Sequence, residues 1–244
     1  MWLALGDFLF RWRSYLPLIL VPPIVLAIAT SAHPMPSYPG RLAWEMACLL
    51  IACAGLALRV WTVGVAARGT SGRNTRQQKA STLNTTGPYS VMRHPLYVGN
   101  GLIVFGLALF PGTVVAALLV ALVTIAYYAI ITAREEAFLR ERFGPAFATW
   151  AARVPALVPN VSRYVPSAIP FDWRIPLRRE FYALALILIM PFALDVVAHL
   201  TRHGVLQCNP VWGGLAGAGA IGFVVLRALK KRTPGGDSPS LRQA

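Results

Sequence analysis

Apolar and polar positions alternate along this chain in long blocks rather than residue by residue. Six apolar runs stand out, at about 15–32, 43–66, 95–110, 113–133, 181–200 and 211–229. A membrane-spanning helix needs about 20 apolar residues, and the runs approach or exceed that length. The pattern therefore predicts an all-α, polytopic membrane helical bundle of about six transmembrane helices, built as a single integral membrane domain over residues 1–232.

The third run is short, and Phe110–Gly112 joins it to the fourth. This spacing predicts a tight helical hairpin over residues 95–133. Two long polar segments, 68–94 and 134–180, flank the hairpin. Because a hairpin returns the chain to the side from which it left, we expect both segments to meet at one membrane surface.

Composition supports the membrane assignment. The chain is 56% apolar and only 13% charged, with a mean hydropathy of +0.56. In soluble domains about a quarter of the residues are charged. A surface with so few charges indicates the lipid bilayer as its surroundings.

The net charge of +14 would by itself also suit a nucleic-acid-binding protein. However, twenty Lys and Arg residues fall in alternate polar segments and two in the segments between them. Cytoplasmic loops carry such an excess. We therefore predict no nucleic-acid partner, and we predict cytoplasmic positions for both termini and both long polar segments.

The two ends of the chain need separate interpretation. Arg11 and Arg13 precede the first apolar run, which also fits a cleaved signal peptide. We favour a retained first membrane helix because the run is long. Residues 233–244 are rich in Gly, Pro and Ser and are predicted to form a disordered cytoplasmic tail.

The cysteines and histidines do not indicate a metal site. The chain has three Cys and four His, with no HExxH motif and no CxxC motif. We therefore predict no metal and no disulfide framework.

The first candidate for chemistry is Arg93-His94-Pro95, at the start of the third apolar run. Proline is favoured at the first position of a helix, which places His94 near the N-cap. Free N–H groups there attract anions, and Arg93 can clamp a carboxylate, such as that of a cofactor. The alternative is an Arg that reaches lipid phosphates beside a capping His.

The second candidate is the pair Glu135 and Glu136, predicted at the cytoplasmic end of the fourth helix. A carboxylate here can accept hydrogen bonds from ribose hydroxyls or from a cofactor amine. The alternative is an amphipathic interfacial helix whose charges are solvated by one another. Adjacent residues cannot share a helix face, so we expect only one of the two to bind a ligand.

The third candidate is Arg59, inside the second apolar run. An ionisable residue at such depth is expected to face the bundle interior, where it could pair with a substrate anion. The alternative is snorkelling to the headgroups. Glu45 and Asp195, near the outer ends of their runs, are predicted to be interfacial.

One further pattern is misleading. Gly217–Gly222, "GAGAIG", matches the dinucleotide-binding pattern, but no strand precedes it. We interpret these small residues as helix-packing positions.

Two blocks together resemble a known family. "GPYSVMRHPLYVGN" and, after the hairpin, "EEAFLRERFGPAFATWAARVPALVP" resemble the isoprenylcysteine carboxyl methyltransferase family, whose wider group includes the phospholipid N-methyltransferases. The resemblance covers residues 80–160, and both blocks occur in the family's order and separation.

The resemblance implies an integral membrane methyltransferase that uses S-adenosylmethionine in a cytoplasmic pocket without a Rossmann domain. It also implies a lipid-like or isoprenoid acceptor that enters from the bilayer. The matching positions implied as cofactor-binding are Tyr89, Arg93, His94, Pro95, Tyr97, Gly99, Glu135 and Glu136.

The acceptor is predicted from the chemistry of methyl transfer. A sulfonium is an activated donor, so the reaction needs mainly positioning and desolvation. A carboxylate or phosphate needs no general base, whereas an amine must be deprotonated. We therefore predict O-methylation of a carboxylate or phosphate, with Arg59 and Arg153 as candidate catalytic residues that orient the acceptor.

Three alternatives stay open. One is phospholipid N-methylation. Another is an NADPH-dependent enzyme like the membrane sterol reductases, although those typically read RHPNY followed by Gly-Glu or Gly-Asp, whereas this chain has RHPLY and Gly99-Asn100. The last is an inactive membrane scaffold, which the intact cluster disfavours.

Overall fold

The fold was analysed in a computed structural model that describes residues 19, 21–31, 33–67 and 81–232. Over these residues the chain is helical and without strands, which confirms the predicted helical membrane bundle. Four described helices are long and apolar enough to cross a membrane, and two shorter apolar helices accompany them. The helices are α1 (Val21–Thr30), α2 (Tyr38–Val65), α3 (Pro88–Val91), α4 (Pro95–Leu109), α5 (Val114–Phe143), α6 (Pro145–Arg153), α7 (Arg174–His203) and α8 (Pro210–Arg232).

The predicted hairpin is confirmed as α4 and α5. Pro95 begins α4 with His94 at its N-cap, and Thr113 is the N-cap of α5. Gly112 closes the turn with a φ of 78°, a conformation that glycine adopts without steric cost. We call the end of the bundle at this turn the turn end, and the opposite end the His94 end.

Several boundaries differ from the sequence prediction. α5 continues ten residues past the predicted end at residue 133 and stops at Phe143, so the Glu pair lies inside the helix rather than at its end. The apolar residues Phe138 and Leu139 continue one side of α5 beyond the membrane stretch, and Gly144, with a φ of 52°, ends it. The fifth predicted span, 181–200, is likewise extended, to Arg174–His203.

The first predicted span, 15–32, is only partly within the described residues, where α1 covers Val21–Thr30. The predicted tail, 233–244, and residues 68–80 of the polar segment 68–94 lie outside them.

The bundle is centred on the contact between α2 and α4. A Cβ on Gly55 would lie 2.5 Å from the carbonyl oxygen of Gly99, and one on Gly106 would lie 2.6 Å from that of Cys48. Small residues at these positions let the two helix backbones approach closely. The site residues on α4 are therefore fixed relative to α2.

α7 and α8 complete the bundle. α7 packs against α2 and α8, and Trp212 of α8 is fully buried with its ring 5.0 Å from that of Phe110. The main buried cluster combines residues of α2, α4, the hairpin turn, α7 and α8: Cys48, Leu49, Ala52, Ile103, Phe110, Ile187 and Trp212. The helices beyond the family signature thus pack onto its apolar core.

We expect Gly106→Ala to destabilise the bundle, by about 1–3 kcal/mol, because its new Cβ meets the backbone of α2. Thermal unfolding in detergent measures the effect. Gly101→Ala on the same helix is the matched control, because a Cβ there meets nothing within 4 Å. Equal melting temperatures for the two variants would contradict the close contact.

Candidate functional site

The two polar clusters predicted from the sequence meet at the His94 end, as expected from the hairpin. Glu136 Oε1 lies 2.8 Å from Arg93 Nε and 2.9 Å from His94 Nε2. The side chains are largely buried, with exposed fractions of 16% for Glu136 and 4% for His94. One carboxylate oxygen therefore joins the start of α4 to α5.

Arg93 is engaged by the protein itself. Besides its bond to Glu136, Arg93 Nη1 donates to the carbonyl oxygens of Ala151 and Val154 at 2.8 and 2.9 Å. Its backbone N–H donates to the carbonyl of Pro155 at 2.8 Å. Three side-chain N–H donors of Arg93 are thus used within the chain, on Glu136 and on the end of α6.

The tautomer of His94 follows from Glu136. A carboxylate oxygen accepts, so His94 Nε2 carries a proton. In the neutral imidazole, Nδ1 is then an acceptor. This Nδ1 lies 4.0 Å from Glu135 Oε2.

Glu135 has a different environment from its neighbour. Its side chain is 35% exposed, yet its Oε2 is buried and has no hydrogen-bond partner in the structure. An unsatisfied buried carboxylate oxygen is costly. With a neutral His94, Nδ1 and Glu135 Oε2 form a pair of acceptors suited to a ligand that brings hydroxyl or ammonium donors.

Aromatic residues surround this pair. The Tyr97 ring lies 5.9 Å from that of His94 and 5.1 Å from that of Tyr128 on α5. Tyr89 accepts at its carbonyl oxygen from Trp150 Nε1 at 3.1 Å. Burial, and then the charge of Glu135, raise the pKa of Tyr89, which keeps its hydroxyl protonated.

Two of the residues predicted from the resemblance hold the backbone in place. Pro95 is fully buried at the first position of α4. Gly99 lies in the α2–α4 contact, where a Cβ would be 2.6 Å from Cγ of Arg59.

Arg59 faces the bundle interior, as predicted. Its guanidinium makes a two-pronged ion pair with Glu180 of α7, at 2.7 Å from Nε and 2.8 Å from Nη2, and its Nη1 donates to Asn100 Oδ1. Glu180 is only 5% exposed. The structure therefore balances the Arg59 charge within the protein.

Sequence reasoning missed Glu180 and Asn100. Glu180 stands one residue before the fifth apolar run. A carboxylate at that position is a signal for a partner of Arg59, but the charge distribution considered above covers only Lys and Arg. Arg153, the other candidate for orienting an acceptor, has an exposed side chain at the end of α6, while its carbonyl oxygen accepts from Arg163 at 2.6 Å. The structure brings Arg59, but not Arg153, into the interior.

Glu45 and Asp195, predicted to be interfacial, lie near the turn end of the bundle. Both are buried, with exposed fractions of 4% and 7%. Glu45 accepts from Trp212 Nε1 at 2.9 Å, and Asp195 accepts from the backbone N–H of Asn209 at 2.7 Å. Hydrogen bonds between α2, α7 and α8 make this burial tolerable.

Two predictions about ligands concern the rest of the bundle. Gly217–Gly222 lies inside α8, and a Cβ on Gly219 would be 2.7 Å from Leu188 of α7, as expected for helix packing. In the part of the chain that the structure describes, no three His, Cys, Asp or Glu side chains are grouped as metal ligands.

Comparison with known proteins supports a family assignment. The family described as "Phospholipid methyltransferase" matches residues 44–146, which include Arg59, His94 and both Glu residues of the pair. The cobalt-zinc-cadmium resistance protein CzcN of Cupriavidus metallidurans is 40% identical over 87 residues, or 36% of this chain and 40% of that protein. The matched stretch thus spans less than half of that relative.

A second relative is matched over most of its length. The nickel-cobalt-cadmium resistance protein NccN of Alcaligenes xylosoxydans xylosoxydans is 31% identical over 165 residues, which are 66% of this chain and 70% of that protein. No solved structure matches the chain. The family match over the Arg59, His94 and Glu-pair positions, in a bundle with four helices able to cross a membrane, shows that the chain belongs to the phospholipid methyltransferase family of membrane methyltransferases.

Proposed function

We propose that this protein is an S-adenosylmethionine-dependent membrane methyltransferase that O-methylates a carboxylate or phosphate of a lipid-like or prenylated acceptor. The observation that carries the proposal is the buried, unpartnered Glu135 Oε2, 4.0 Å from His94 Nδ1. A cofactor with hydroxyl and ammonium donors would satisfy both acceptors.

The charges around the pair suit this cofactor. Arg93 is paired with Glu136, and Glu135 Oε2 has no hydrogen-bond partner, so among these three side chains the carboxylates outnumber the guanidinium. A net negative site favours a cation, and S-adenosylmethionine carries a sulfonium and an ammonium group. The residues present therefore fit the cofactor, with Glu135, His94 and the Tyr89 hydroxyl as its polar contacts.

Each residue then has a defined task. The cofactor supplies an activated methyl group. Glu135 and His94 orient it through hydrogen bonds, Tyr97 covers one side of the pocket, and the Arg93–Glu136 pair fixes the His94 ring. Holding the donor in line with the acceptor and excluding water accounts for most of the catalysis that such a transfer needs.

The acceptor is proposed to reach the site from the bilayer beside Arg59. Asn100 lies one turn along α4 from Tyr97 and also binds Arg59. The Arg59 ion pair therefore begins one helical turn away from the Tyr97 ring beside His94. An anionic acceptor would share the Arg59 guanidinium with Glu180. The exposed Arg153 would assist at the membrane surface.

Phospholipid N-methylation is the second candidate. It is favoured by the pairing of Arg59 with Glu180, which offsets the positive charge that an anionic acceptor would use. Glu180 is also a carboxylate that could hold a cationic headgroup. The family's description names phospholipid methyltransferases without naming the methylated atom.

The reaction product distinguishes the two. Protein reconstituted in vesicles of its host lipids is given S-adenosylmethionine with a radiolabelled methyl group. We expect prolonged hot acid hydrolysis of the extracted product to release its label as volatile methanol, because methyl esters of carboxylates and of phosphates both hydrolyse under it and N-methyl bonds do not. Label that stays on the product would establish N-methylation and overturn O-methylation.

The relatives are named for metal resistance, so growth of the host on cobalt, zinc or cadmium salts is a suitable physiological readout of the activity of the protein.

Cofactor binding separates the roles of the two adjacent carboxylates. We expect Glu135→Gln and His94→Ala to weaken S-adenosylmethionine binding about tenfold or more, the cost of losing a charge-assisted hydrogen bond. Isothermal titration calorimetry on detergent-purified protein measures this, with NADPH as the parallel ligand. Glu141→Gln, exposed on the same helix, is the matched control.

Glu136→Gln should act differently. Because it leaves Arg93 without its carboxylate, we expect it to lower the melting temperature of the cofactor-free protein, whereas Glu135→Gln leaves that temperature unchanged or raises it. Binding of NADPH alone would overturn the methyltransferase proposal. A melting temperature lowered equally by both Gln variants would overturn the division of roles.

The interior ion pair can be tested by a double-mutant cycle. We expect Arg59→Met or Glu180→Leu alone to destabilise the protein by roughly 3 kcal/mol, because each leaves a buried charge unpaired. The double variant should recover much of that loss. Chemical or thermal unfolding in detergent measures all four proteins, and additive single effects would contradict the pairing.

A further inference from the structure

A second polar cleft lies at the turn end of the bundle, away from the proposed methyltransferase site. It is a small open cleft where the α1–α2 loop, the start of α2, the hairpin turn and the end of α7 meet. His33 and Arg41 line it from one side and Arg202 and His199 from the other. The function proposed above uses none of these residues.

The cleft contains two buried side-chain nitrogens without a hydrogen-bond partner, His33 Nε2 and Arg41 Nε. His33 Nδ1 lies 3.1 Å from the backbone nitrogen and 3.3 Å from the carbonyl oxygen of Met35, so this backbone accommodates either tautomer of the ring. Native proteins leave few buried polar atoms unsatisfied, and the charged Arg41 Nε can only donate, so the cleft lacks an acceptor.

The neighbouring charges are held within the protein. Arg202 donates to the carbonyl oxygens of Ile28 and Pro111 at 3.1 and 3.2 Å, which fixes its charge at the cleft. The carboxylates Glu45 and Asp195 also line the cleft, and they accept hydrogen bonds from Trp212 and Asn209. His33 and Arg41 therefore remain as the donors for an added oxyanion.

Burial, and then the charge of Arg41, lower the pKa of His33, which keeps the free ring neutral near pH 7. A neutral ring donates from Nε2 in the tautomer whose Nδ1 accepts from Met35. The Arg41 guanidinium beside it stays charged and can only donate, which favours an oxyanion over a cation in this cleft.

We propose that this cleft binds the phosphate of an anionic phospholipid headgroup. The location selects a lipid, since the cleft opens where the helices leave the apolar region. Leu200, Val205 and Leu206, beside it at the end of α7, are 46%, 54% and 75% exposed and suit contact with the upper acyl chains. Arg41 and His33 bind the phosphate oxygens, as charge-assisted and neutral donors respectively.

Short-chain lipids test the proposal. Dihexanoyl phosphatidylglycerol is titrated into detergent-purified protein by calorimetry, with dihexanoyl glycerol as the ligand that lacks the phosphate. We expect only the phospholipid to bind. Arg41→Gln should weaken it about tenfold or more. Because no side-chain hydrogen bond of Arg41 holds the described fold together, this variant should keep its melting temperature.

Arg174→Gln is the matched control, since it removes the same charge from an exposed position at the His94 end. Unchanged affinity in Arg41→Gln, or equal losses in both variants, would overturn the proposal. If inorganic phosphate binds as tightly as the phospholipid, the lipid assignment is overturned and the ligand of the cleft is the free anion. Zn²⁺ binding that is lost in His33→Ala, without phospholipid binding, would overturn the oxyanion assignment.

Discussion

The Glu136 carboxylate is the point on which the arrangement of the site depends. Through one oxygen it holds Arg93 and His94, and Arg93 in turn holds the carbonyl oxygens at the end of α6. Three parts of the chain separated by the hairpin are thereby fixed at a common place. The His94 ring acquires a defined tautomer from this contact, and its free nitrogen faces Glu135.

The apolar surroundings explain why polar residues occur in linked groups. A charge inside a membrane bundle is tolerated when it is paired, and Arg59 finds both a carboxylate and an amide oxygen. Glu45 and Asp195 are similarly satisfied by donors on α8 and in the loop before it. Among the exceptions are Glu135 Oε2 at one end and His33 Nε2 and Arg41 Nε at the other, and these are therefore informative about ligands.

Much of the architecture could be predicted from the sequence, because long apolar runs and the short Phe110–Gly112 turn leave few alternatives in a bilayer. The meeting of His94 with the Glu pair followed from the same hairpin. The end of α5 was harder to predict, since its last ten residues, 134–143, include many charged side chains with apolar side chains between them at helical spacing. Glu180 lies outside the family signature at residues 80–160, so no motif indicated that it pairs with Arg59.

The sequence by itself determined that this is a helical membrane protein with a polar cluster on either side of a hairpin. It could not decide which of two adjacent carboxylates is structural. Neighbouring residues on a helix point about 100° apart, so the rotation of α5 decided that Glu136 meets Arg93 while Glu135 Oε2 is left without a hydrogen-bond partner. The pairing of Arg59 with Glu180 likewise depended on tertiary structure, because the packing of α7 against α2 sets which distant side chains touch.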